Sequence, residues 1–285
     1  MMSKNTLLPV QTTLQSKGRL LDLSRPVVMG ILNATPDSFY TKDSLATPGV
    51  LLHTAERMLR DGATILDIGG ATSRPGAGIS DPQTELSRVI PLITDIHQRF
   101  PDAWLSIDTY HAAVAREAIA AGASMVNDVS SGTLDNDMLA TVAALRVPYI
   151  AMHMQGTPAT MQVDPQYDDV VYEVRDYLRQ VCDHGTASGI TDIIIDPGFG
   201  FGKTVAHNFT LLRGLHTFRM LGRPIVAGLS RKSMICKTLK VNPEHALNGT
   251  TALHMIALQQ GANILRVHDV KEAIETVSLY EALNA

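Results

Sequence analysis

Short runs of apolar, mostly β-branched residues alternate along the chain with longer stretches in which apolar residues recur at helical spacing. The runs have the length of buried strands, and they follow one another about every 30 residues, as in repeated βα units. Eight strands are predicted, at residues 27–32, 63–68, 104–108, 124–129, 148–153, 192–196, 224–229 and 263–268. Helices are predicted between them, for example at 50–62, 81–100, 111–122 and 248–261, and several end in Gly, a common helix stop.

This alternation predicts an α/β protein. Eight strands alternating with eight helices over about 250 residues form a (β/α)8 TIM barrel. We expect a single domain, with residues 1–25 as a short N-terminal cap and residues 26–285 as the barrel. The structural alternative is a doubly wound sheet, which usually has a dinucleotide or phosphate loop after its first strand. Here the first strand is followed by NATPDSF, which is no such loop.

The composition excludes several other classes of protein. Of the 285 residues, 45% are hydrophobic and 18% are charged, and the net charge of −4 includes no block of like charges. Neither a nucleic-acid nor a membrane partner is therefore expected. No signal peptide is recognised at the N-terminus, and no apolar run approaches the ~18 residues that span a bilayer. Because Cys182 and Cys236 lack metal-ligand spacing, we expect a cytoplasmic protein with two reduced thiols.

Polar or Gly-rich positions follow every predicted strand at its carboxyl end. A single Asp or Asn there could cap the next helix, but all eight ends have the feature. In a barrel these ends meet at one face, where barrel enzymes have their active sites. In chain order the positions are Asn33, residues 67–70, Asp108, Asn127 with Asp128, His153, Asp196, residues 230–232, and Arg266 with His268.

Two carboxylates and an amide among these positions predict a site for a flat heterocycle. We call Asp108, Asn127 and Asp196 the acidic floor, since a carboxylate accepts two parallel hydrogen bonds from a planar N–C–N edge. The alternative use of two carboxylates is a retaining glycosidase. Such a site more often has Glu and aromatic sugar platforms, whereas this chain has one Trp and 5% aromatic residues.

Basic residues after the second, seventh and eighth strands predict that the other side of the site binds an anion. Arg266 and His268 alternate with apolar residues, so both point to the same side of their strand. Arg suits phosphate because of its forked geometry, and Asn33 could bind an Mg²⁺ ion that bridges phosphate oxygens. The set that we call the basic wall comprises Arg74, Arg231, Lys232, Arg266 and His268.

The Gly-rich segment DPGFGFGKT, residues 196–204, is predicted to be a tight turn whose backbone approaches a ligand. It is not a Walker A loop, which would need Gly at position 197, where this chain has Pro. Phe199 and Phe201 could be ordinary apolar plugs. His153 is predicted to be structural or to support other site residues rather than to bind a metal. A metal hydrolase is disfavoured, because the chain has neither H-E-x-x-H nor His-x-His after the first strand.

In their order along the chain, these motifs resemble those of the dihydropteroate synthase family. The resemblance runs from about residue 26 to residue 283 and rests on MGILNATPDSF, DIGGATSRPGA, SIDTY, NDVSSG, MHMQGTP, DPGFGFGKT, GLSRKSMI and RVHDV. It implies an enzyme of folate biosynthesis that condenses 6-hydroxymethyl-7,8-dihydropterin pyrophosphate with p-aminobenzoate by an SN1-like mechanism. It also implies Mg²⁺ as cofactor, sulfonamides as competitive inhibitors, and a homodimer.

The resemblance also implies roles for the residues that match the family's motifs. Those expected at the pterin are Asp108, Asn127, Met152, Asp196, Gly228 and Lys232. Those expected at pyrophosphate are Asn33, Ser73, Arg74, Arg266 and His268, with Asn33 as the Mg²⁺ ligand. Those expected at p-aminobenzoate are Phe39, Pro75, Phe201, Lys232 and Ser233. The expected catalytic residues are Asp108, Asp196, Lys232, Arg266, His268 and Asp37, the last from the loop after the first strand.

Two departures from the family pattern concern loops. The second loop usually reads GGESTRPG and here reads GGATSRPG, so Ala71 removes a carboxylate and Ser73 loses a methyl group. After PDSF, the first loop has YTKDS in place of a Gly-rich turn. Two alternative functions are kept, and Ala71 favours only the second of them. One is a methyltetrahydrofolate–corrinoid methyltransferase, which needs no pyrophosphate-binding wall, and the other is a pterin-binding barrel that has lost activity.

Overall fold

The structure is a computed structural model that describes residues 10–35, 48–71, 80–157 and 159–285. Two short antiparallel strands, β1 (Thr13–Ser16) and β2 (Arg19–Asp22), precede a sheet of eight parallel strands. The parallel strands are β3 (Val27–Asn33), β4 (Ile65–Gly69), β5 (Trp104–Asp108), β6 (Met125–Asp128), β7 (Tyr149–Met152), β8 (Ile193–Asp196), β9 (Val226–Ala227) and β10 (Ile264–Val267). Each parallel strand lies within one of the predicted runs or extends it by one residue, so the predicted strands are confirmed.

The eight parallel strands close into a barrel. Along the sheet their order is β8, β7, β6, β5, β4, β3, β10, β9, so neighbours in sequence are neighbours in space. A parallel bridge between Ile195 in β8 and Ile225, just before β9, joins the two ends of this row. Closure of parallel strands with helices between them confirms the predicted (β/α)8 barrel.

Helices follow the strands and pack against the outside of the barrel. In the described ranges they are α1 (Pro48–Arg60), α2 (Pro82–Arg99), α3 (Ala112–Ala121), α4 (Met138–Leu145), α5 (Val170–Ala187), α6 (Val205–Arg213), α7 (Ser233–Leu239), α8 (Leu247–Gln259) and α9 (Val270–Asn284). Short 3-10 helices cover Leu215–Leu221 and Pro243–His245. Two helices, α7 and α8, thus separate β9 from β10, one more than the repeat predicts. None of the described helices has the length and apolarity needed to cross a membrane.

Alternation along the strands divides the interior into two cores. Outward side chains, such as Leu66 and Leu265, pack against the helices. Inward side chains near the amino ends of the strands form a separate apolar layer that fills the bottom of the barrel. Its members are Met29, Ile65, Trp104, Met125, Ile150, Ile194, Val226 and Ile264.

The hairpin formed by β1 and β2 lies against this apolar bottom layer. Leu14, Leu21 and Leu23 belong to the same buried cluster. The backbone N–H of Gln15 donates to Oδ2 of Asp192, the residue just before β8, at 2.6 Å. The hairpin therefore covers the end of the barrel opposite the strand carboxyl ends. Residues 1–9 lie outside the described ranges, so the extent of the N-terminal cap stays a prediction.

Candidate active site

The barrel interior becomes polar one layer above its apolar bottom. Side chains two residues after those of the bottom layer also point inward, and they lie closer to the carboxyl ends of the strands, where the predicted site begins. They are Ile31, Asp67, Ser106, Asn127, Met152, Asp196, Gly228 and Arg266. The same alternation thus brings two residues of the acidic floor into one layer with Arg266.

Arg266 is paired with carboxylates of the barrel interior. Its Nε donates to Oδ2 of Asp67 at 2.7 Å, and its Nη2 donates to Oδ2 of Asp108 at 2.6 Å. The amide nitrogen of Asn127 donates to the same Asp67 oxygen at 3.0 Å. Arg266 therefore lies among the residues of the floor, and Asp67 joins them.

These charges alter one another's protonation. Burial raises the pKa of Asp108 to about 7, although Arg266 acts in the opposite direction. Burial alone would lower the pKa of Arg266, but Asp67 and Asp108 raise it above its ordinary value. Arg266 is therefore a permanent cation, whereas the charge of Asp108 changes near neutral pH.

Asp196 and Lys232 stand on the opposite side of the interior. Asp196 is buried, and its Oδ1 accepts a hydrogen bond from the Gly198 backbone N–H at 2.7 Å. A Cβ on Gly228 would lie 3.8 Å both from Oδ2 of Asp196 and from Nζ of Lys232, so Gly228 leaves the space between them open. Burial lowers the pKa of Lys232 to about 8, which leaves most of the lysine charged at pH 7.

Asn33 and Asp108 face each other across Gly69 at the carboxyl ends of three adjacent strands. Asn33 pairs in register with Gly69, and Gly69 with Asp108. A Cβ on Gly69 would lie 3.5 Å from Cβ of Asp108 and 3.6 Å from Oδ1 of Asn33. The glycine thus keeps a notch open beside the amide oxygen of Asn33.

The end of β10 carries the neutral part of the basic wall. Nδ1 of His268 lies 3.0 Å from Oγ of Ser230. Burial lowers the pKa of His268 to about 4, and the charges of Arg266 and Arg231 act in the same direction, so the ring is neutral at pH 7. Nε of Arg231 donates to Oδ2 of Asp269 at 2.8 Å, which ties this guanidinium to the start of α9.

Apolar side chains form another side of the barrel mouth. Met152 is buried in a small cluster with Tyr110 and Val129, and Ala71 and Phe201 pack against that cluster. The methyl group of Ala71 therefore contributes apolar contact where the family pattern has a carboxylate. The cluster gives a planar ligand a surface to lie on.

The turn after β8 separates the two phenylalanines of the Gly-rich segment. Phe199 is fully buried in the outer core. Phe201 is partly exposed, and Nζ of Lys232 lies 4.7 Å from its ring centroid. Ser233, the first residue of α7, directly follows Lys232 and is exposed. His153 is buried, and its ring meets that of Tyr177 edge-on at 4.9 Å.

Several predicted residues cannot be placed. Those that lie outside the described ranges are Asp37, Phe39, Ser73, Arg74 and Pro75. Their roles stay predictions. Conversely, no role was predicted for Asp67 or Lys203. The position of Asp67, two residues after the inward Ile65, could have indicated that its side chain also points into the barrel. Nothing in the neighbouring sequence indicates that Lys203 is buried.

The chain matches known proteins over nearly its whole length. A family model described as "Pterin binding enzyme" matches residues 29–268. The dihydropteroate synthase of Escherichia coli (strain K12) is 44% identical over 272 residues, which are 94% of this chain and 95% of that protein. The dihydropteroate synthase of Haemophilus influenzae is 42% identical over 271 residues, 94% of this chain and 98% of that one.

Solved structures agree. A Yersinia pestis dihydropteroate synthase in a sulfonamide drug complex superposes with a TM-score of 0.91 and 44% identity, covering 95% of this chain and 99% of that one. A Xanthomonas albilineans dihydropteroate synthase with 4-aminobenzoic acid gives a TM-score of 0.90 and 42% identity over 96% and 98% of the two chains. The chain therefore belongs to the pterin-binding enzyme family and, within it, to the dihydropteroate synthases.

Proposed function

We propose that this chain condenses 6-hydroxymethyl-7,8-dihydropterin pyrophosphate with p-aminobenzoate, forming 7,8-dihydropteroate and pyrophosphate. The observation that carries the proposal is the polar layer inside the barrel, where Asp196, Asn127 and Arg266 occupy equivalent inward positions on three strands. It is supported by a Xanthomonas albilineans dihydropteroate synthase in complex with 7,8-dihydropteroate, which has a TM-score of 0.86 and 40% identity.

The acidic floor suits the pterin ring. Asp196 keeps one oxygen on the Gly198 N–H, so its other oxygen is available to N–H groups of a planar ligand. Asn127 carries two N–H donors and an acceptor oxygen, and one of the donors is used by Asp67. Lys232 is charged at pH 7 and can donate to a ring carbonyl oxygen or nitrogen. We therefore assign the pterin to the space between these side chains, with Met152 and Gly228 on its walls.

Pyrophosphate would lie toward the notch beside Asn33 and the end of β10. The described residues contain no cluster of three or more His, Cys, Asp or Glu side chains that could hold a metal ion by themselves. Mg²⁺ commonly takes one or two protein oxygens together with phosphate oxygens and waters, so a single amide oxygen at Asn33 fits it. When bound there, Mg²⁺ would supply positive charge beside the phosphate oxygens.

The reaction breaks the bond from the pterin methylene carbon to the pyrophosphate oxygen, and the electron pair leaves with that oxygen. His268 is neutral and can donate a hydrogen bond to the departing group without carrying charge. As the bond lengthens, the methylene carbon becomes cationic, and Asp108 and Asp196 stabilise that charge through the ring N–H groups. The neutral aniline nitrogen then forms the new C–N bond and afterwards loses one proton. This order is SN1-like.

The direct test uses purified protein, the pterin pyrophosphate, p-aminobenzoate and Mg²⁺. We expect release of pyrophosphate and formation of dihydropteroate in equal amounts, and loss of both when Mg²⁺ is removed with a chelator. A sulfonamide should raise the KM for p-aminobenzoate without lowering kcat, because both compete for the position beside Phe201 and Lys232. Noncompetitive inhibition would contradict that assignment.

The same assay separates the alternatives. A barrel that has lost activity would bind the pterin and release no pyrophosphate at any pH or Mg²⁺ concentration tested. A methyltetrahydrofolate–corrinoid methyltransferase would have no need to bind inorganic pyrophosphate, which we expect to inhibit this chain as a product. Absence of both turnover and pyrophosphate binding would overturn the proposed function.

We further propose that the chain forms a homodimer in the cytoplasm. Exposed apolar side chains on three consecutive helices support dimerisation: Leu239 of α7, Ile256 of α8, and Leu279 and Leu283 of α9. Both cysteines are unpaired, which is usual in a reducing compartment. Sedimentation of the wild-type chain should give twice the monomer mass of 30.8 kDa. A monomer at micromolar concentration would contradict the dimer.

A further inference from the structure

A buried lysine outside the predicted site residues holds the turn that follows β8. Lys203 is only 3% exposed. Its Nζ lies 2.9 Å from the Gly198 carbonyl oxygen and 3.0 Å from the Phe201 carbonyl oxygen. Nδ1 of His153, 2.9 Å away, is a third partner. An ammonium group has three N–H donors, so these three acceptors can use all of them.

Burying the Lys203 ammonium group costs free energy of folding. Burial lowers the pKa of Lys203 well below its ordinary value, while Asp196 acts in the opposite direction. Burial and the charge of Lys203 lower the pKa of His153 to about 2, so that ring is neutral and one nitrogen can accept. An apolar side chain of similar size would fill the same space without desolvating a charge. Packing alone therefore does not account for a lysine here.

The turn held by Lys203 carries contacts of the active site. The Phe199 carbonyl oxygen, which lies between the two carbonyls bound by Lys203, accepts a hydrogen bond from the Lys232 ammonium group. The ring of Phe201 lies beside the same ammonium group. Fixing the Gly198 and Phe201 carbonyls thus fixes two groups that contact Lys232, the Phe199 carbonyl and the Phe201 ring.

The turn lies so close to β7 that its geometry leaves little freedom. Gly198 has a φ of +68°, and a Cβ there would lie 1.9 Å from the His153 carbonyl oxygen. Gly202 has a φ of +62°, and a Cβ there would lie 2.7 Å from the Gln155 carbonyl oxygen. Lys203 joins this turn to the His153 ring, so it connects the turn to the end of β7.

Asp196 depends on the turn much less than Phe201 does. Asp196 is the last residue of β8 and pairs in register with Met152 of β7. Its carbonyl oxygen accepts from the His153 N–H at 3.0 Å. The strand ladder therefore holds the Asp196 backbone, and the turn contributes the Gly198 N–H to its carboxylate, whereas Phe201 lies wholly beyond the strand, within the turn.

We propose that Lys203 is a positioning residue that places Phe201 and the Lys232 ammonium group for p-aminobenzoate. The proposal rests on the proposed function, because it uses the assignment of p-aminobenzoate to Phe201 and Lys232. It assigns to the buried lysine a role chiefly in the affinity for the second substrate. The first substrate, which Lys232 also contacts in the proposed site, is in addition held by Asn127 and Asp196 on their strands and should be affected less.

The test compares Lys203→Met with Lys237→Met, which removes an exposed lysine from α7. Methionine keeps the length of the side chain and removes all three donors. In Lys203→Met we expect the KM for p-aminobenzoate to rise at least about tenfold, while the KM for the pterin pyrophosphate changes by less than about threefold. Lys237→Met should resemble the wild type in both KM values and in kcat.

Two results would overturn the proposal: unchanged KM values, or an equal rise in both, because a general loosening of the barrel affects both substrates. If Lys203→Met does not fold, His153→Phe removes one acceptor and keeps a ring against Tyr177. This variant should raise the same KM to a smaller degree, and no rise would also overturn the proposal. An inactive wild type would instead count against the proposed function.

Discussion

Replacing Asp196 with Asn is expected to lower kcat/KM by about 100- to 1,000-fold, the usual cost of removing one hydrogen-bonding group that stabilises a transition state. The Gly198 N–H and the pterin N–H groups each need an acceptor oxygen. An asparagine amide has only one oxygen, so its NH2 group would face one of these two donors. The fold should not suffer. Because burial raises the pKa of Asp196, ionised Asp196 costs stability as pH rises above its unfolded value of about 3.9, and Asn removes this cost.

Asp192→Asn is the matched control, since Asp192 is equally buried and immediately precedes the same strand at its other end. It accepts from Gln15 of the N-terminal hairpin, so its substitution should lower the thermal midpoint and leave kcat/KM near that of the wild type. Steady-state kinetics and thermal unfolding of both variants are the measurements. Near-normal activity of Asp196→Asn would remove Asp196 from the site.

The fold could be predicted because its signal is local and repeated. A two-residue alternation that is visible in the sequence places Arg266 and His268 on the same side of their strand. Short apolar runs at regular spacing predict the eight strands. The hairpin at residues 13–22 and the helix α7 were not predicted. They are short, and their positions depend on the barrel that they cover: Leu14 and Leu21 are buried only because the bottom layer lies beneath them.

The partners within the site could be predicted less well, because they join residues that are far apart in sequence. The alternation indicates that Arg266 faces inward but not which groups it meets. Its partner Asp67 lies 199 residues away, and pairing with Asp67 and Asp108 moves Arg266 from the basic wall to the acidic floor. Lys203 is similar, since its burial results from a turn that folds back on His153.

Replacing Arg266 with Met is expected to destabilise the protein by about 3–5 kcal/mol, because it leaves the buried Asp67 carboxylate and the partly buried Asp108 carboxylate without their cation. Asp67 is 1% exposed, and its Oδ1 has no hydrogen-bond partner among the described residues, so it would have only Asn127 left. A loss of this size should lower the thermal midpoint by about 10 °C in a chain of this length. The double variant Arg266→Met/Asp67→Asn should recover part of the loss, since it also removes one of the two carboxylates.

The loss should depend on pH in a defined direction. Asp108 has a pKa of about 7, above the unfolded value of about 3.9, so its ionisation already costs stability as pH rises between these values. Without Arg266 its pKa rises further, and the cost of ionising it extends to higher pH. The difference between wild type and variant should therefore be larger at pH 8 than at pH 6. Arg179→Met, which removes exposed ion pairs from α5, should leave the midpoint almost unchanged at both.

The same variant distinguishes two roles for Arg266. From the sequence alone, its loss should impair chiefly the pyrophosphate substrate, and the unphosphorylated pterin should bind almost as before. The structure changes this expectation, because the guanidinium donates to Asp108, a residue of the floor. We therefore expect Arg266→Met to raise both the KM for the pterin pyrophosphate and the Kd for the unphosphorylated pterin, measured by calorimetry. An unchanged Kd would return Arg266 to the pyrophosphate side of the site.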